Sequence, residues 1–153
     1  MNIRITDDIH QRLMKHLHCG DGKEAVAFVL CGRAGGTEKP LLLMHELILV
    51  PYEDCALRSE NRVTWSSGLL PEILNKAATN NLGVVKLHSH PAGGHQFSIH
   101  DDESDKLRFP RIYDRRGSDL TTDRLIVTTD GGQSGRVVTR TGNLARRQST
   151  WMS

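Results

Sequence analysis

At 153 residues the chain has the length of one domain, enough to bury a sizeable core. Its formal net charge of +2 gives no bulk electrostatic case for nucleic acid, and no stretch approaches the roughly 20 apolar residues that span a bilayer. Three cysteines without a CxxC pair, and an N-terminus without the apolar core of a signal peptide, fit a reducing cytoplasm rather than secretion.

Thr6-Asp7-Asp8 predicts a helix start, with Thr6 as N-cap and acids in the first turn. Ile9, Leu13 and Leu17 then recur at helical spacing and form one apolar stripe. Gly20 and Gly22 break that helix. Ala25 to Leu30 reads as a buried strand ended by Cys31-Gly32, and Leu41 to Val50 as a second strand rich in branched residues. Val63 to Trp65 makes a short third strand. Pro71 suits the first turn of a helix reaching about Asn80, where its missing N–H costs nothing. Gly83 to His90 is the next strand, and Asp101 to Arg108 a helix. Arg124 to Thr129 and Gly135 to Thr139 are strands flanking the turn Asp130-Gly131-Gly132. The interspersed pattern implies a layered α/β or α+β domain with a sheet of about five or six strands. Residues 141–153 are expected to form a basic C-terminal tail, either disordered or a junction to a further domain.

The chemistry concentrates at Leu87-His88-Ser89-His90-Pro91. Residues i and i+2 of a strand share a face, so His88 and His90 project together while Ser89 turns away. Pro91 marks the strand's end. Two imidazoles so placed are either a coincidence or the start of a shared metal site. The following loop brings the chain to Ser98-Ile99-His100-Asp101, where Asp101 offers a hard anionic third ligand. Three protein ligands and one open position is the arrangement of catalytic zinc. Ser98 and Asp101 also read as a helix capping box, and both roles are compatible. His95 and His100 read as surface or substrate-facing residues. The cluster Asp101, Asp102, Glu103 and Asp105 reads as a solvated helix face, and Cys31 as packing.

HSHPAGGHQFSIHD resembles the JAMM signature of the JAB/MPN zinc metalloproteases, H-x-H-P, six residues, then S-x-x-D. The resemblance runs roughly from Ile5 to Thr139, within a domain of residues 1–140, and implies a single MPN/cytidine-deaminase-like mixed sheet flanked by helices. It further implies His88, His90 and Asp101 as ligands of one Zn2+, and Ser98 as a holder of the oxyanion. The family's general base is a glutamate at the start of the first core strand, which points to Glu24, with Glu46 in reserve. Glu24 precedes Gly32 by eight positions, one more than in many members. A bulge, or a place just outside the regular strand, would restore its orientation.

By the same resemblance the chain is expected to be a hydrolase cleaving after the C-terminal Gly-Gly of a ubiquitin-like or sulfur-carrier protein. E1-like adenylating and E2-like enzymes are the further partners it implies. Two other readings stand beside this one. A non-catalytic MPN scaffold would not need His88, His90, Ser98 and Asp101 together. A RadC-like DNA-associated protein fits poorly with the near-neutral charge.

Overall fold

The computed structural model describes residues 2–34, 41–93, 122–128, 133–138, 144–148 and 150–152. They form a mixed α+β fold around an eight-stranded sheet and a separate two-stranded hairpin. In chain order the elements are β1 (Asn2–Arg4), α1 (Asp7–Leu17), β2 (Val26–Ala34), β3 (Leu41–Leu49), β4 (Cys55–Arg58), β5 (Val63–Trp65), α2 (Leu70–Thr79), β6 (Gly83–His90), β7 (Thr122–Thr128), β8 (Gln133–Val138), β9 (Leu144–Gln148) and β10 (Thr150–Met152). The large sheet runs β10-β1-β3-β2-β6-β7-β8-β9, and β4 pairs with β5. No helix among the described residues is long and apolar enough to cross a membrane.

Helix α1 starts where its cap residue stands. Thr6 holds an extended backbone and its Oγ1 accepts from the Ile9 N–H at 3.4 Å. Leu13 and Leu17 are buried along one stripe, and Asp7 and Asp8 lie in the first turn, where the helix dipole favours them. The helix stops at Leu17; Gly20 and Gly22, at φ +95° and +68°, then take left-handed conformations that side chains with a Cβ resist.

Strand β2 lies at the centre, antiparallel to β3 on one edge and to β6 on the other. Both its faces are covered, so Ala25 through Leu30 form an unbroken buried apolar run. Ala27, Val29 and Cys31 pack with Ile3, Leu13, Leu17, Leu42, Val85 and Leu87 on the α1 side. Val26, Phe28 and Leu30 pack with Trp65, Ile73, Leu74, Ala77 and Val84 on the α2 side. Phe28 and Trp65 meet edge to face, centroids 5.1 Å apart. The β5 strand thereby seals the second core without joining the large sheet.

The differences from expectation have simple causes. Gly32 does not end β2, which continues to Ala34 because β3 offers Leu41, Leu42 and Leu43 as partners. Strand β1 is only three residues with one buried side chain, Ile3, and is held between parallel neighbours β3 and β10. Strand β4 pairs back on β5. Part of the expected tail instead contributes β9, antiparallel to β8, and β10, parallel to β1, so the sheet is larger than anticipated. The helix expected from Asp101 to Arg108 lies outside the described residues.

Candidate functional site

The end of β6 and the start of β2 meet in one place because Val26 pairs with His88 across the ladder. Alternation along β6 sends His88 and His90 to the face shared with Val84 and the α2 core, and Ser89 to the other. Ser89 is fully buried there, and its Oγ accepts from the Ala25 N–H at 3.0 Å. The Ser89 N–H donates to the Ala25 carbonyl at 3.1 Å. Ser89 therefore ties the start of β2 to the histidine strand from behind.

His88 is 1% exposed and His90 is partly buried. Their Nε2 atoms are 2.9 Å apart, with ring centroids at 4.8 Å and planes tilted by 46°. One ring donates and the other accepts, so the two nitrogens face each other at close range. Two nitrogens on a tetrahedral zinc, each bonded at about 2.0–2.1 Å, would stand about 3.3–3.4 Å apart. The pair needs to part by only about half an ångström to reach that spacing, so two imidazoles fit two positions of such a centre.

Glu24 stands just before the regular strand begins at Val26, the second of the two placements that the sequence left open. The ladder irregularity falls on β3 instead: Leu30 pairs with Glu46 and Cys31 with Met44, leaving His45 as the extra residue. Glu24 is 2% exposed, and its Oε1 lies 3.9 Å from His90 Nδ1. A buried carboxylate next to an imidazole pair can accept a proton on one side of the site and release it on the other.

Glu46 lies elsewhere. It forms an ion pair with Lys76 of α2, both side chains being nearly half exposed. Its partner Leu30 is four positions along β2 from Val26, a separation of about 13 Å at the usual strand rise. The structure brings Glu24, and not Glu46, to the histidines. Ser98, Asp101, His95 and His100 lie outside the described residues. Among the described residues no three His, Cys, Asp or Glu side chains are grouped closely enough to hold a metal ion.

A second set of residues holds the loop before β2, and no sequence motif announces it. The Arg58 guanidinium donates from Nε to the Glu24 carbonyl at 2.9 Å and from Nη1 to Asp21 Oδ2 at 2.9 Å. It also lies 4.0 Å from the centroid of the Tyr52 ring. Tyr52 stacks on His16 at 4.8 Å and donates its hydroxyl to the His16 carbonyl at 2.7 Å. Burial of the phenol pushes its pKa up to about 12, so it remains a donor. The Lys23 N–H, followed by the Cys19 and Arg58 side chains, outweighs burial and holds the Asp21 carboxyl below its ordinary range. Burial opposes the Arg58 charge, but the contacts led by the Asp21 hydrogen bond outweigh it and raise the guanidinium's pKa. Burial lowers the pKa of His16, whose Nε2 lies 3.0 Å from the Val26 carbonyl.

Against this geometry, the family profile described as prokaryotic homologs of the JAB domain matches residues 6–125, well over half of the chain. The chain belongs to the prokaryotic JAB family. No curated protein matches this JAB domain. Its fold is similar to the solution structure of protein DSY2949 from Desulfitobacterium hafniense, at 15% identity and a TM-score of 0.59. That likeness covers 100% of this JAB domain chain and 94% of the other, and it bears on the fold alone.

Proposed function

We propose that this JAB domain is a zinc-dependent peptidase or isopeptidase that cleaves after the C-terminal Gly-Gly of a ubiquitin-like or sulfur-carrier protein. The observation that carries the reading is the buried Glu24 carboxylate placed 3.9 Å from His90, whose other ring nitrogen converges with that of His88. His88, His90 and Asp101 would hold the metal. Bound zinc supplies a Lewis acid for the scissile carbonyl and lowers the pKa of water toward neutrality.

In this scheme Glu24 takes the proton of the attacking water and passes it to the leaving amine as the C–N bond breaks. Its burial keeps bulk water from diverting that proton. Ser98 holds the developing oxyanion by a hydrogen bond. A Gly-Gly tail suits a narrow approach along a sheet edge, because only glycines let a backbone pass this close to the reacting centre. E1-like and E2-like enzymes are the partners such a substrate would bring, in the cytoplasm.

The test joins metal content to cleavage. Wild type is expected to purify with about one zinc per chain and to cleave a fusion linked through Gly-Gly, with a chelator abolishing the reaction. His88→Ala should lose the zinc, whereas Glu24→Ala should keep it and lose the cleavage. Wild type that takes up no zinc even when supplied with it would overturn the proposal and favour a non-catalytic scaffold.

A further inference from the structure

The α1–β2 loop is a short exposed segment that nonetheless carries a buried carboxylate. Its main chain is held at successive positions. Asp21 Oδ1 accepts from the Lys23 N–H at 3.0 Å. The Glu24 N–H donates to the Ser59 carbonyl at 2.7 Å, and the Glu24 carbonyl accepts from Arg58 Nε. The Ala25 N–H and carbonyl are both taken by Ser89. The β6 side of this arrangement is part of the core. The other side depends on the end of β4, which lies in the small hairpin outside the large sheet.

Arg58 organises that outer side. Its side chain is only 11% exposed, and it joins Asp21, the carbonyls of Lys23 and Glu24, and the Tyr52 ring. A planar fork with donors in three directions can meet those demands at once, and a lysine ammonium cannot. We propose that Arg58 is a positioning residue for Glu24: it fixes the glutamate's main chain from the β4 side, as Ser89 fixes the adjoining residue from β6, and so sets where the carboxylate stands relative to His90. This rests on the proposed role of Glu24 as the proton carrier, and it adds a residue that the JAMM signature does not contain.

The experiment uses the full zinc-loaded chain with Arg58→Gln and Arg58→Lys, each alone and combined with Glu24→Ala. Zinc content is expected to match wild type. For Arg58→Gln, kcat on the Gly-Gly fusion should fall about tenfold to a hundredfold with KM little changed, the scale expected of a group displaced by about an ångström. Arg58→Lys should fail to restore it. In the Glu24→Ala background neither substitution should lower the residual rate further. A merely structural role would lower the rate in both backgrounds.

Amide hydrogen exchange supplies a readout independent of turnover. The Glu24 N–H should exchange about tenfold faster or more in Arg58→Gln, while Phe28 and Val85 in the core keep wild-type protection. Unchanged exchange at Glu24 would overturn the positioning role, as would unchanged kcat in an active enzyme or an equal loss in both backgrounds. Should wild type prove inactive, the proposed function fails on that result alone, and the exchange data still decide whether Arg58 holds Glu24. Should Arg58→Gln not fold, Asp21→Ala removes the guanidinium's exposed anchor, and a smaller change in the same direction is expected. No change in Asp21→Ala would then count against the proposal.

Discussion

Ser89→Ala isolates one hydrogen bond on which the start of β2 depends. Ser89 and Ala25 are both fully buried, and the Ser89 hydroxyl receives the Ala25 N–H at 3.0 Å. Truncation removes the acceptor and leaves a donor that water cannot reach. Such a group costs about 1–3 kcal/mol, against a net worth near 1 for an ordinary exchanged hydrogen bond. At 2 kcal/mol the folded-to-unfolded ratio drops about thirtyfold. With a urea m-value near 2 kcal/mol/M, the midpoint should move down by about 1 M with m unchanged. Ser66→Ala is the matched control. Ser66 Oγ accepts from the Gly68 N–H at 3.3 Å on the exposed surface, so its loss should cost under about 0.5 kcal/mol. Urea unfolding followed by circular dichroism reads both variants. If Ser89→Ala unfolds at the same urea concentration as the control, the reasoning from the buried donor is wrong.

Phe28→Ala should cost about 3–5 kcal/mol, because Phe28 is fully buried and Trp65 loses its edge-to-face partner; calorimetry or urea melts would show it. Glu46→Gln should shift stability by less than about 1 kcal/mol, since its ion pair with Lys76 is largely solvated. Cleavage should be unaffected by Glu46→Gln, whereas Glu24→Gln should lower kcat by about 10²–10⁴-fold. Acid should destabilise the fold through His16 and His18, whose pKa values burial holds below the ordinary 6.5. The unfolded chain takes up those protons first, so their contribution is complete above about pH 6.5 and is lost as pH falls through the folded-state values. Thermal melts from pH 7.5 to 5 would show this, and a rising melting temperature on acidification would refute it. His18 Nε2 is also buried with no hydrogen-bond partner among the described residues, so His18→Phe should be neutral or stabilising by up to about 1 kcal/mol and should flatten the acid limb.

What the sequence disclosed follows from the range of the forces involved. Gly83–His90 and Val63–Trp65 match expectation to the residue, because each combines branched or aromatic residues with clear punctuation. The Thr6 cap and the Leu13 and Leu17 stripe are local, and they too were readable. Strand β1 is three residues long and exists through long-range pairing with β3 and β10, while β4 is a short strand that pairs only with the neighbouring β5 in a local hairpin. The residues of β9, Leu-Ala-Arg-Arg-Gln, show no alternation that marks a strand. At the site, the histidine pair and its shared direction were legible from strand period alone. The choice between Glu24 and Glu46 was not, since both lie on the α2 side of the sheet. It turns on Val26 pairing with His88 while Glu46 pairs with Leu30, and that register is a tertiary fact. Arg58 could not be found in advance, because its contacts to residues 21–24 cross more than thirty positions of sequence.

Strand β6 carries useful side chains on both faces and has neighbours on both edges, antiparallel β2 and parallel β7. Inserting or deleting one residue before His88 would invert every side chain beyond that point. Both imidazoles would enter the apolar layer beside Val29 and Val85, and the Ala25 amide would lose the Ser89 hydroxyl that accepts from it. Slippage to relieve the error would have to break two ladders together. This segment can therefore drift in composition but not in length, and variation in chain length should accumulate where no ladder counts residues.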